Sequence, residues 1–108
     1  MTLKAYNKMM SIEQKKIWLR HEIKEGEKRT PITPILTKKL IMKGIQVYVE
    51  SSPSRIFSDQ EYQEAGCIIT EQNSWQNADK DCYILGLKEL PLRNYKYNHR
   101  HIYFHTHQ

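Results

Sequence analysis

The chain has 108 residues, room for a single domain, and at that size about 65% of the unfolded surface is buried on folding. Hydrophobic residues make up 39% and charged residues 27%, a globular composition with no sign of disorder, and no apolar run is long enough to span a bilayer. Seventeen Lys and Arg against twelve Asp and Glu give a net charge of +5, distributed along the chain rather than gathered in one block, which suits an anionic small molecule or a solvated surface.

Residues 1–16 are polar and weakly patterned and read as an extension, with a short helix around Ser11 to Lys16. Ile17-Trp18-Leu19-Arg20 has strand composition. Residues 21–33 carry Gly26, Pro31 and six charged residues and read as a loop long enough to be functional. Thr33-Pro34 predicts an N-cap with proline at the first helical position, and Ile35, Leu36, Leu40 and Ile41 keep helical spacing up to Met42. Gly44 ends that helix. Ile45 to Glu50 alternates and is β-branched, a second strand. Ser58-Asp59-Gln60-Glu61 is a capping box that opens another helix, and Gly66 closes it. Cys67 to Thr70 reads as a third strand, 71–81 as a polar connection around Trp75, and Asp81 to Gly86 as a fourth strand. His101 to Phe104 reads as a fifth. Strands alternating with short helices predict an α/β fold: a small Rossmann-like open parallel sheet of about five strands with flanking helices, incomplete at its C-terminal edge.

In such sheets ligands sit beyond the carboxyl ends of the strands. The segments after the first, fourth and fifth strands are therefore the candidate site. The first holds Lys24, Glu27, Lys28 and Arg29, cations suited to carboxylates, or simply an exposed charged loop. The second holds Lys88 in Gly86-Leu87-Lys88-Glu89, where desolvation can turn a lysine into a base, or where a lysine can snorkel. The third holds His105 and His107, with His99 and His101 before them; all four are odd-numbered and share a face with Tyr103 on a regular strand. Their spacing matches no known zinc pattern, so no metal is expected. The four glycines, Gly26, Gly44, Gly66 and Gly86, cannot form a dinucleotide fingerprint or a phosphate loop. Two cysteines, Cys67 and Cys82, without CxxC spacing exclude a disulfide framework and suit a reduced, cytoplasmic setting. The first residues lack the pattern of a signal peptide. Neither a recognition helix nor an aromatic-basic platform is present, so no nucleic acid and no membrane is expected as a partner.

Several segments together resemble a known family. They are Leu19-Arg20-x-Glu22-x-Lys24-x-x-Glu27-x-Arg29, Thr33-Pro34, Lys43-Gly44-x-x-Val47-x-Val49-Glu50, and Ser52-Pro53-Ser54-Arg55-Ile56-Phe57. Glu61-Tyr62, Ala65-Gly66, Asn73-Ser74-Trp75, Ile84 to Pro91 with its GLKELP run, and His101-Ile102-Tyr103-Phe104 extend the match from about residue 17 to 107. These resemble the N-terminal domain of saccharopine dehydrogenases of the NAD-dependent, lysine-forming type, of the alanine dehydrogenase/transhydrogenase N-terminal kind. The resemblance implies a substrate domain over 17–108 after an extension over 1–16. It implies a part in oxidising saccharopine with NAD and water to lysine and 2-oxoglutarate, with no dinucleotide bound by this chain. NAD would be held by a second domain, in cis or in trans, and the chain alone would be inactive. It further implies that Lys88 takes the proton from the secondary amine, that Lys24 and Arg29 face substrate carboxylates, and that Glu27 tunes the charge around them. The family's histidine falls two positions after the strand phenylalanine; here Thr106 stands there, between His105 and His107, and both remain candidates. The alternative to an enzyme is a non-catalytic remnant that binds an anion or a partner chain.

Overall fold

The computed structural model describes residues 2–4, 16–22, 29–86 and 100–103, the last four as backbone. Five strands form one sheet: β1 (Lys16–Leu19), β2 (Gln46–Glu50), β3 (Ile68–Thr70), β4 (Tyr83–Gly86) and β5 (Arg100–Tyr103). All pairings are parallel, and the order across the sheet is β3-β2-β1-β4-β5. Helix α1 (Pro34–Met42) lies between β1 and β2 in the chain, and α2 (Asp59–Glu64) between β2 and β3. The expected α/β architecture is therefore present.

The helix ends follow from local chemistry. Thr33 Oγ1 accepts the Leu36 amide at 3.2 Å, and Pro34 begins the helix where its missing N–H costs nothing. Gly44, at φ +91°, reverses the chain beyond α1, a conformation that a Cβ disfavours. At α2 the Ser58 hydroxyl accepts the Glu61 amide at 3.2 Å while Glu61 accepts the Ser58 amide at 2.7 Å, so the capping box is complete.

Strand alternation divides the core in two. Ile17, Leu19, Val47, Val49 and Leu85 face the helices and pack with Leu40, Tyr62 and Ile32. Trp18 and Ile84 face the other way, where Cys82 and Trp75 cover them and Tyr48 stacks on Trp18 with ring centroids 4.9 Å apart.

The strand limits shift from those expected. β1 runs Lys16–Leu19 rather than 17–20, so Lys16 is in the sheet, paired with Gln46, and not in a helix. Its ammonium lies 2.5 Å from the Asp79 carboxylate. Strands β2, β3 and β4 start at Gln46, Ile68 and Tyr83, one or two residues later than expected, because ladder pairing begins only there. β5 starts one residue early, at Arg100, and Phe104 lies outside the described residues. The 71–81 connection contains a 3-10 turn, Ser74–Asn77, that buries Trp75. Among the described residues no helix is long and apolar enough to cross a membrane.

Candidate functional site

The chain passes from β3, on one side of β1, to β4 on the other, so the strand order reverses between β1 and β4. Ligands of open parallel sheets bind at such a reversal. The two strand ends are locked together: Leu19 pairs with Leu85, and the Arg20 amide donates to the Leu85 carbonyl at 3.1 Å. β5 lies next, with Gly86 opposite Tyr103. The three segments expected to carry the site thus leave from three adjacent strand ends. Arg29 is described and exposed, just ahead of the core residues Pro31 and Ile32. Lys24, Glu27, Lys88, His105 and His107 lie outside the described residues.

Arg20 turns inward from the end of β1 and is 1% exposed. Its Nη1 sits 3.6 Å from Oε1 of Glu22, itself buried, so the charge is balanced in place. Bringing a guanidinium into the interior is costly without such a partner. Beside it, β4 ends in Gly86, where a Cβ would overlap the guanidinium.

Glu50, at the end of β2, is fully buried and accepts four N–H groups. Oε1 takes the amides of His21 at 2.9 Å and Asn73 at 2.8 Å. Oε2 takes Trp18 Nε1 at 2.8 Å and the Trp75 amide at 2.9 Å. A carboxylate with both oxygens doubly satisfied tolerates burial. It ties the exit of β1 to the 73–75 turn and holds Asn73 in its left-handed conformation, φ 63°. Beyond β2, Asp59 accepts the Ser51 hydroxyl at 2.5 Å and the Ser52 amide at 3.1 Å, and His21 Nδ1 stands 3.2 Å from Ser52 Oγ.

Behind this layer, Arg55 Nη1 donates to the Glu50 carbonyl at 2.9 Å, and its guanidinium lies 5.5 Å from the centre of the Tyr62 ring. Burial lowers the Arg55 pKa and raises that of the Tyr62 phenol. Burial likewise raises the thiols of Cys67 and Cys82, which are free and suit neither nucleophilic nor metal chemistry at neutral pH. Among the described residues no group of three His, Cys, Asp or Glu could hold a metal.

The N-terminus of α1 does not fit a dinucleotide pyrophosphate. This first helix after a strand has proline at its first position and Thr33 already capping Leu36. Two of the first-turn amides that would cradle a pyrophosphate are thus absent or occupied there.

Arg20, Glu22, Glu50, Arg55 and Tyr62 were not marked as site residues by sequence reasoning. Parity offered one signal: Trp18 pairs with Tyr48, and Glu50 shares the Tyr48 face, so an indole N–H and a carboxylate fall on the same side of adjacent strands.

Residues 18–108 match the family described as alanine dehydrogenase/PNT, N-terminal domain. Saccharopine dehydrogenase (NAD(+), L-lysine-forming) of Yarrowia lipolytica is 46% identical over 89 residues, 82% of this chain and 24% of that protein. The protein of that name from Emericella nidulans is 49% identical over 90 residues, again 82% of this chain and 24% of its own length. The alanine dehydrogenase of Geobacillus stearothermophilus is 36% identical over 84 residues, 76% of this chain and 22% of its own length. The chain spans about a quarter of the length of these relatives. From the match over nearly all of its length, and a parallel sheet that reverses order between β1 and β4, the chain belongs to the alanine dehydrogenase/PNT N-terminal domain family and is similar to its saccharopine dehydrogenases.

Proposed function

We propose that residues 17–108 form the substrate side of a saccharopine dehydrogenase, behind an N-terminal extension, 1–16, whose last residue, Lys16, joins β1. The observation that carries this reading is the adjacency of the β1, β4 and β5 carboxyl ends, from which the Lys24–Arg29, Lys88 and His105–His107 segments leave. Arg29 and Lys24 hold the substrate carboxylates, with Glu27 beside them offsetting part of that positive charge. Lys88 takes the proton of the secondary amine, and one of His105 and His107 serves as the second acid/base group. The cations Lys24 and Arg29 supply the positive surroundings that favour a neutral lysine. The substrates are saccharopine, lysine and 2-oxoglutarate, in lysine metabolism. The dinucleotide belongs to another domain, in cis or in trans; the spacing of Gly26, Gly44, Gly66 and Gly86 allows no dinucleotide fingerprint. A cytoplasmic setting is supported by two buried, free thiols.

The test is NADH formation on adding saccharopine and NAD, with and without an NAD-binding domain supplied to the chain. The reading expects NADH only when that domain is present. A second reading is an anion- or partner-binding module without catalysis, which the net charge of +5 also suits. It expects saccharopine or 2-oxoglutarate to bind without NADH in either case.

A further inference from the structure

Tyr62 is fully buried in α2, yet its phenol reaches the segment that follows the β1 loop. Its Oη donates to the Ile32 carbonyl at 2.7 Å and stands 3.3 Å from the Thr30 hydroxyl, which itself donates to the same carbonyl at 3.3 Å. The ring is held on both sides. The Arg55 guanidinium lies 5.5 Å from its centroid, and Phe57 meets it edge-on at 6.3 Å and 86°. Arg55 in turn is anchored on the Glu50 carbonyl. Burial keeps the phenol protonated at neutral pH, so the donor is always available.

Arg29 precedes Thr30 directly and is exposed. An arginine that grips a carboxylate loses side-chain freedom, and it loses backbone freedom as well if its loop is not already fixed. The Tyr62 contact removes the second cost by pinning residues 30–32 to the core. We propose that Tyr62 is a positioning residue for Arg29, fixing the point at which the arginine leaves the core so that its guanidinium meets a ligand carboxylate at lower entropic cost. The inference rests on the reading of Arg29 as the carboxylate-binding residue. It adds a group on a different element that touches no substrate.

The experiment titrates the full chain with 2-oxoglutarate by calorimetry or NMR, at one ionic strength and well below the melting temperature of every variant. Arg29→Met should abolish binding or weaken it severalfold. Tyr62→Phe keeps the ring and its contacts with Arg55 and Phe57, and should also weaken binding severalfold. The double variant should be no weaker than Arg29→Met alone, because a positioning residue has nothing to contribute once its target is gone. Ser58→Ala loosens the cap of α2 without touching the phenol and should leave affinity unchanged.

Wild-type affinity in Tyr62→Phe, beside weak binding in Arg29→Met, overturns the positioning role and leaves the Arg29 reading standing. Wild-type affinity in Arg29→Met, or no binding by the wild-type chain, overturns that reading and this inference with it. Equal weakening by Ser58→Ala and Tyr62→Phe reduces the effect to general loosening and also overturns the positioning role.

Discussion

The guanidinium of Arg20 fills the space in which a side chain at Gly86 would begin. A Cβ there would overlap Cζ, Nη2 and Nε of the arginine. An arginine tip elsewhere could swing away, but this one is 1% exposed and paired with Glu22. Glycine at 86 is thus explained by a neighbour and not by its own backbone conformation. The contact also sits where β1 and β4 end together, two residues before Lys88.

That relationship predicts coupling. Gly86→Ala should lower stability by about 1–3 kcal/mol, the usual cost of overfilling a packed site. In an Arg20→Met background, where a slim side chain replaces the guanidinium, the same change should cost far less. Urea unfolding of the two single variants and the double variant measures the difference; additive losses would mean that the two residues do not meet.

Glu50→Gln should be costly although it is nearly isosteric. The amide nitrogen would face two N–H donors in place of an oxygen that accepts them. Two buried donors left unmet, with the charge gone from the other pair, amount to about 3 kcal/mol. Because Trp18 and Trp75 both donate to this carboxylate, tryptophan emission should shift in the folded variant. Unchanged stability and emission would contradict the four-donor arrangement.

The α2 capping box gives a smaller, local effect. Ser58→Ala removes the acceptor of the Glu61 amide and should cost about 1 kcal/mol. Glu61→Gln can still accept the Ser58 amide and should cost less. The ranking is checked by thermal unfolding, and a Glu61→Gln loss as large as that of Ser58→Ala would contradict it.

Alkali should weaken the fold. Burial raises Cys67, Cys82 and Tyr62 above their ordinary values, so the folded state binds protons that the unfolded state releases. Such stability is complete below the unfolded values and is lost as pH rises through the folded ones. The decline should begin above about pH 8.5, where unfolded thiols ionise, and deepen past about pH 10 with the phenol. Urea midpoints across that range test it. Cys67→Ala should flatten the early part of the decline, and a flat wild-type profile would contradict the shifts.

Much of the fold was legible in the sequence because its signals are local. Thr33-Pro34, Gly44 and the Ser58-to-Glu61 box each act within a few residues, and all three mark the ends the structure has. Strand limits were less exact because alternation marks which face a residue takes, whereas the ends of a strand depend on what it pairs with; Lys16 joins β1 because Gln46 lies opposite. The contacts that organise the site were not legible. Trp18 and Glu50 are 32 positions apart, Ile32 and Tyr62 30, and no local pattern links them. The common direction of the three strand ends was legible through topology, since an alternating α/β order sends every parallel strand the same way.

The most direct test of the account is saccharopine-dependent NADH formation by the polypeptide joined to, or supplied with, an NAD-binding domain, comparing wild type with Lys88→Met. Wild type should form NADH, and the variant should lose about 10²-fold or more in turnover, the usual worth of an acid/base group, with saccharopine affinity little changed. Turnover unaltered by Lys88→Met, or no saccharopine-dependent NADH with the domain present, would contradict it.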